Sequence, residues 1–147
     1  MFLISALCYY WVMNLFCANA FTGEDFDTVS KRMQFVVDTL NAAGHNAYCP
    51  VFDPYKIELQ EKQATKEIFE YAFQNITKSD GMVAIITSGR KSEGMLMEFG
   101  AALAAHKPLY LFIHESAAGV SSHVPKLATK VFTWSTEQSL ENQLKTI

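Results

Sequence analysis

The sequence predicts a single α/β domain in which a mostly parallel, five-stranded sheet carries helices on both faces. Short apolar runs alternate with longer segments whose apolar residues recur at helical spacing. The chain has 147 residues and 50% of them are hydrophobic, which is enough to bury one real core. Because strands joined through helices need right-handed crossovers, the alternation places helices on both sides of the sheet.

The predicted elements follow one another without repeats or low-complexity segments. Buried strands are expected at residues 14–18, 46–52, 82–86, 109–113 and 130–134. Helices are expected at residues 25–43, about 63–77, 94–105 and 136–145. Gly44 stands where a glycine commonly ends a helix. Asp53 and Pro54 are expected to end the second strand, because proline has no N–H to continue a ladder.

Five strands in this alternation are typical of a flavodoxin-like sheet. In such sheets ligands lie beyond the carboxyl ends of the strands, where the strand order reverses. That edge is expected to carry residues 19–23, Asp53, residues 87–92 and His114.

Charge and cysteine content exclude several function classes. The formal net charge is -3 and the Lys and Arg residues are scattered, so nucleic acid is not expected as a partner. The chain has an odd number of cysteines, Cys8, Cys17 and Cys49, and they do not show the paired spacing of metal ligands. We therefore predict buried free thiols, no metal site and a cytoplasmic protein.

The amino terminus allows two interpretations. Residues 1–12 are apolar and aromatic, but no Lys or Arg precedes them and the run is too short for a comfortable membrane span. Residues 18–20 could form a signal-peptidase site, although cleavage there would remove the predicted first strand. We favour residues 1–12 as an extension or an upstream start and residues 13–147 as the functional domain, with no membrane partner.

One carboxylate interrupts an otherwise apolar helix. Residues 94–105 are apolar or small at every position except Glu98. An ionised carboxylate taken from water is paired, neutralised by a raised pKa, or kept for chemistry. The alternative is that Glu98 lies on a solvent-exposed edge. Small residues such as Gly94, Gly100 and Ala104 are expected to let this helix lie close against the sheet.

Residues 92–108, SEGMLMEFGAALAAHKP, resemble the signature of the nucleoside 2-deoxyribosyltransferase superfamily. In that signature an Asp or Ser is followed by a Gly two residues later, a Glu four residues after that Gly, and a second Gly two residues after the Glu. Small residues and a Lys-Pro pair complete it. The loop FCANAFTG at residues 16–23 is also similar, and the resemblance covers about residues 13–115.

The resemblance implies cleavage of an N-glycosidic bond in a nucleoside or nucleoside 5′-monophosphate. Glu98 would attack the anomeric carbon and displace the base, and water or a second base would resolve the glycosyl-enzyme. A carboxylate nucleophile suits an oxocarbenium-like transition state. The resemblance also implies a homodimer or larger homo-oligomer and no cofactor.

Ser92 indicates which branch of the superfamily the chain resembles. The transferases proper have Asp at this position, whereas the branch that hydrolyses deoxynucleoside 5′-monophosphates has Ser. A hydroxyl can donate to a phosphate that a carboxylate would repel, and free N–H groups at the helix start attract anions. Capping of the helix is the alternative role. The candidate binding residues are Asn19, Thr22, Gly23, Asp53, Ser88, Ser92, Gly94 and His114.

The chain departs from the family at one position. An Asp that assists the leaving base would fall at Ala72, so Asp53, Glu93 or His114 would have to act, or the base is activated differently, or catalysis is lost. A non-catalytic nucleotide-binding or sensing module is therefore an alternative. An NAD-cleaving domain of the TIR type ranks lower, because the small-residue helix and the Lys-Pro ending fit the first family better.

Overall fold

The computed structural model describes residues 11–119 and 123–147. Five parallel strands form one sheet in the order β2-β1-β3-β4-β5. The strands are β1 Asn14–Asn19, β2 Asn46–Tyr48, β3 Gly81–Ile86, β4 Leu109–His114 and β5 Lys130–Trp134. The predicted extension at residues 1–12 lies outside the described residues except for Trp11 and Val12, and so does Cys8.

Six helices join these strands in the described part of the chain. They are α1 Phe26–Ala42, α2 Pro54–Glu61, α3 Thr65–Lys78, α4 Glu93–Ala104, α5 Val124–Leu127 and α6 Glu137–Leu144. Short 3-10 turns occupy Pro50–Phe52 and Glu115–Ala117. The predicted flavodoxin-like α/β fold is confirmed.

Strand alternation divides the core into two layers. In β1, Leu15 and Cys17 belong to the core that includes residues of α1 and α6, while Phe16 and Ala18 belong to the core with residues of α3 and α4. Successive side chains of a strand point to opposite faces, so each strand serves both layers. The last residue of a strand therefore points to the same face of the sheet as the residue two positions before it, and this alternation, which we call parity, decides which core it joins.

The second strand and the connection after it differ from the prediction. The strand ends at Tyr48 rather than at residue 52, because Pro50 begins a 3-10 turn. The polar stretch that follows forms α2, which the sequence analysis did not predict. Pro54 occupies its first turn and the carboxylate of Asp53 accepts a hydrogen bond from the backbone N–H of Tyr55.

The packing of α4 also differs from the prediction. Met95, Phe99 and Ala102 are its buried residues, whereas Gly100 and Ala104 are exposed. Residues spaced by four and three positions share one helix face, so the large side chains face the sheet. Gly100 and Ala104 lie on the outer side of the helix, whereas the small residue Ala102 is buried in the core with Met95 and Phe99.

Cys17 and Cys49 are buried free thiols, as predicted. Burial raises the pKa of both, to about 11 for Cys49. In the described ranges, no group of three or more His, Cys, Asp or Glu side chains is arranged to hold a metal ion. None of the helices described has the length and apolar character needed to cross a membrane.

Candidate active site

A cavity of about 170 Å³ lies at the carboxyl end of β1, where the strand order reverses. The loop after β1, the start of α2, one side of α3 and the beginning of α4 surround it. Its polar and charged lining side chains are Asn19, Thr22, Tyr48, Lys56, Tyr71, Ser92 and Glu98. Its apolar lining includes Phe21, Val51, Ile68, Phe69, Ala72 and Met95.

Glu98 is the carboxylate of this cavity. It stands in the second turn of α4, and no described residue donates a hydrogen bond to it. Burial raises its pKa from 4.5 to about 7, although the nearby charge of Lys56 acts in the opposite direction. The carboxyl group is therefore partly ionised near neutral pH and free to interact with a ligand.

Lys56 faces the same cavity from α2. Burial lowers the pKa of its ammonium, and the charges of Glu98, Cys49 and Asp53 oppose that shift. Lys56 forms no hydrogen bond or direct ion pair with the described residues, so its attraction to Glu98 acts across the cavity. For both groups desolvation is the larger effect, and it moves both towards neutrality.

Asp53 lies behind the cavity wall and fixes the positions of two tyrosines that line the cavity. The hydroxyls of Tyr48 and Tyr71 each donate to Asp53 Oδ2 at 2.7 Å. Burial alone would raise the pKa of Asp53, but these hydroxyls and the backbone N–H groups of Tyr55 and Lys56 lower it overall. Asp53 is thus an ionised anchor that joins β2, α2 and α3.

The amino terminus of α4 forms one side of the cavity. Ser92 caps the helix by accepting a hydrogen bond from the N–H of Met95 at 3.3 Å, and its side chain also lines the cavity. Gly94 follows, and a Cβ built there would lie 3.9 Å from the ring of Phe69. The predicted residues Ser92, Gly94 and Glu98 are therefore brought together by one helix.

The loop after β1 contributes Asn19 and Thr22 to the lining. The side chain of Asn19 is held by Ala20 O at 2.7 Å and by Arg32 Nη1 at 3.1 Å. Gly23 has φ +84°, and a Cβ there would lie 3.1 Å from Nη1 of Arg90. Arg90 thus lies against the Gly23 backbone, next to the residue that lines the cavity.

Four predicted residues do not line this cavity: Asp53 lies behind its wall, Gly23 follows the lining residue Thr22, and Ser88 and His114 lie farther away. Ser88 accepts a hydrogen bond from the N–H of Arg90 at 3.1 Å within the loop after β3. His114 lines a second cavity of about 590 Å³ on the α1 and α6 face, where its ring meets Trp134 edge-on. Its position follows from parity, because His114 and Phe112 point to the same face of β4.

Sequence analysis missed Lys56, Tyr71 and Phe69 as parts of the site. Lys56 belongs to the unpredicted helix α2, and no motif marks it. Phe69 belongs to the apolar pattern of α3, which predicts core packing, whereas Tyr71 lies outside that pattern; both are half-buried and line the cavity. A pattern of spacing identifies the inward face of a helix but does not show that a cavity lies beneath it.

The fold and the cavity define a class of protein: a parallel α/β domain with a cavity at the switch point of the sheet that is lined by a half-buried carboxylate. The model of the nucleoside 2-deoxyribosyltransferase family matches residues 16–132 of the chain. The protein therefore belongs to that enzyme family, which acts on nucleosides and nucleotides. A search of curated protein sequences found no match.

Solved structures share the fold at low sequence identity. The CMP N-glycosidase BcmB of Clostridium botulinum is 19% identical with a TM-score of 0.62, and the match covers 91% of this chain and 99% of that one. The 2-deoxyribosyltransferase of Bacillus psychrosaccharolyticus is 19% identical with a TM-score of 0.61, over 88% and 90%. A conserved protein of Enterococcus faecalis V583 is 16% identical with a TM-score of 0.60, over 92% and 99%.

Burial of Glu98 predicts a pH-dependent loss of stability. Between pH 4.5 and about 7 the unfolded chain ionises Glu98 while the folded chain still holds the proton, so stability falls as pH rises through this window. Above pH 7 the loss is constant. Glu98→Gln removes it and should stabilise the protein by roughly 2–4 kcal/mol at pH 8.

Urea unfolding of both proteins at pH 4.5 and pH 8 measures this difference, which should nearly vanish at the lower pH. Glu93→Gln is the control, because Glu93 is exposed in the first turn of the same helix. Equal stability of wild type and Glu98→Gln at pH 8 would mean that the carboxylate is solvated in solution.

Proposed function

We propose that residues 13–147 form the catalytic domain of an enzyme that cleaves the N-glycosidic bond of a nucleoside or nucleoside 5′-monophosphate through a covalent intermediate on Glu98. The observation that carries this proposal is the half-buried carboxylate of Glu98, which lines a cavity at the switch point without a hydrogen-bonding partner among the described residues. The carboxylate attacks the anomeric carbon, the base departs, and water or a second base resolves the ester.

The amino terminus of α4 supports a 5′-monophosphate as substrate. Ser92 offers a hydroxyl at the start of the helix, where free N–H groups and the helix dipole favour an anion. Arg90 lies beside the loop that carries Thr22 and adds positive charge at this side of the cavity. The two named neighbours, a CMP N-glycosidase and a 2-deoxyribosyltransferase, share the fold equally and do not separate hydrolysis from transfer.

A non-catalytic nucleotide-binding module is the second candidate function. Ala72 lines the cavity, so the position at which the resemblance implies an acidic residue offers no carboxylate to the ligand. Such a module would bind nucleotides and release no base. For either function we expect a reducing, cytoplasmic setting, which the free thiols of Cys17 and Cys49 support.

Base release tests the proposed enzyme directly. The purified protein is incubated with deoxynucleoside monophosphates, with deoxynucleosides in the presence and absence of an acceptor base, and with NAD, and free base is measured by chromatography. Glu98→Gln should lower turnover by roughly 10³-fold or more, as loss of a covalent nucleophile does elsewhere. Because attack needs the ionised carboxylate, kcat/KM should rise as pH increases through about 7.

Glu93→Gln is the matched control and should retain activity. Undiminished turnover by Glu98→Gln would refute Glu98 as nucleophile. Nucleotide binding by the wild type without base from any substrate would favour the binding module.

A charge at position 92 tests the phosphate assignment. Asp caps a helix as well as Ser does, so Ser92→Asp changes the charge while it preserves the cap. We expect kcat/KM for a monophosphate to fall by about 10-fold or more relative to the unphosphorylated nucleoside, because the two negative charges repel. Thr136→Asp makes the same change at the N-cap of α6, away from this cavity, and should leave the ratio unchanged. An unchanged ratio in Ser92→Asp would remove the phosphate from this end of α4.

We also propose that the protein is a homodimer that uses the outer side of α4. Leu96 and Met97 are 43% and 46% exposed, and Gly100 and Ala104 continue the same apolar side. Small residues allow the helices of two copies to approach closely, and an exposed apolar patch commonly marks an interface.

Sedimentation equilibrium of Met97→Glu tests the dimer. We expect the variant to sediment as a monomer where the wild type sediments as a dimer, because the charge would be buried unpaired between the copies. Ile57→Glu places the same charge at an exposed apolar residue of α2 and should leave the mass unchanged. A monomeric wild type at micromolar concentration would refute the dimer.

A further inference from the structure

Two opposite charges line the 170 Å³ cavity without direct partners. Lys56 enters from α2 and Glu98 from α4, and the structure shows neither a hydrogen bond nor a direct ion pair for either side chain within the described residues. Each of the direct ion pairs found between described residues joins other side chains. Half-buried charges without partners carry a desolvation penalty, which a ligand placed between them would offset.

The other candidate proton donors, Asp53, Glu93 and His114, are not placed to donate a proton to a ligand in the cavity. Asp53 is held ionised by the hydroxyls of Tyr48 and Tyr71, which are themselves engaged in donating to it. Glu93 is exposed, and His114 lies on the opposite face of the sheet. The small side chain of Ala72 leaves room on the α3 side of the cavity. Lys56 of the neighbouring helix α2 also lines this cavity.

We propose that Lys56 is a catalytic residue that contacts the departing nucleobase and gives it a proton. This assignment rests on the proposed function. A carboxylate oxygen of Glu98 forms a bond to the anomeric carbon, the bond from that carbon to the base nitrogen breaks, and its electron pair stays on the base. A proton moves from the ammonium of Lys56 to the base, so the base leaves neutral and Lys56 is left as an amine.

The same residue then completes the cycle. Water attacks the anomeric carbon of the ester, the bond to Glu98 breaks, and the carboxylate is restored. The amine of Lys56 accepts the proton that the water loses and becomes an ammonium again. Atoms and charges balance over the two steps, with water as the sole co-reactant. A second base that replaces water would return its own N–H proton to Lys56 in the same way.

The surroundings of Lys56 suit a proton that must leave and return. Burial lowers its pKa, which makes the ammonium a better acid than an exposed lysine. The charged and titratable groups that face it are Glu98 of α4, Cys49 after β2 and Asp53 at the start of α2. Tyr48 and Tyr71 share the cavity, but their burial and their bonds to Asp53 raise their pKa values.

Pairs of substrates that differ in their need for a proton test the assignment. Deoxyguanosine monophosphate needs protonation of its leaving base, whereas its N7-methylated form already carries a positive charge and leaves as a neutral base. For a pyrimidine-specific enzyme, deoxyuridine monophosphate and its 5-fluoro derivative form a corresponding pair, since the fluorinated base is the better leaving group. Lys56→Met should lower kcat for the unmodified substrate by about 10²-fold or more and for the activated substrate by less than 10-fold.

Two further variants separate proton transfer from other roles. Lys56→Arg keeps the charge but does not release a proton, so it should not restore kcat for the unmodified substrate. Lys62→Met changes an exposed lysine at the end of the same helix, paired with Glu58, and should behave as wild type. Equal losses on both substrates in Lys56→Met, or full rescue by arginine, would overturn proton donation by Lys56.

The wild type offers a measurement that does not depend on folding of a variant. As pH rises and Lys56 loses its proton, kcat for the unmodified substrate should fall while kcat for the activated substrate holds. Parallel profiles would overturn the assignment. Absence of base release from every substrate by the wild type would refute the proposed function itself, and the role of Lys56 with it.

Discussion

The site depends on the parallel pairing of β1 with β3. Residues 15–19 of β1 pair with residues 81–85 of β3, and both strands are almost wholly buried. The chain leaves β1 towards one edge of the sheet and leaves β3 towards the other, so the loops after the two strands diverge and open a crevice. Short loops that follow the strands place the side chains of the candidate site beside that crevice.

Burial gives the crevice its electrostatic character. Glu98 has its pKa raised and Lys56 has its pKa lowered, chiefly because the apolar side chains around them exclude water. The ionised Asp53 holds α2 against Tyr48 and Tyr71, and this contact keeps Lys56 at the cavity wall. The two carboxylates thus differ in their hydrogen bonds: Asp53 accepts several, and no described residue donates one to Glu98.

Sequence patterns predicted the elements that have strong signals and missed those with weak ones. The central strands are continuous apolar runs, and α4 carries one isolated carboxylate, so both the sheet and the candidate nucleophile could be found. Asp53 and Pro54 fit the start of a helix as well as the end of a strand, but α2 has little amphipathic contrast, so the sequence predicts a polar connection there. Lys56 was missed because its importance comes from tertiary burial, which neither its residue type nor its spacing reveals.

Successive side chains of a strand point to opposite faces of the sheet, so one rim of the sheet carries a cavity on each face. On the α1 side, Arg32 binds both carboxylate oxygens of Glu24 at 2.8 Å, and Thr87 donates to Glu24 at 2.7 Å. Arg32 also donates to Asn19, which lines the smaller cavity. Glu24 and Arg32, which line the larger cavity, therefore satisfy one another's charge. On the α4 side, Lys56 and Glu98 form no direct ion pair, so a substrate placed between them, as we propose, would offset the cost of desolvating both charges.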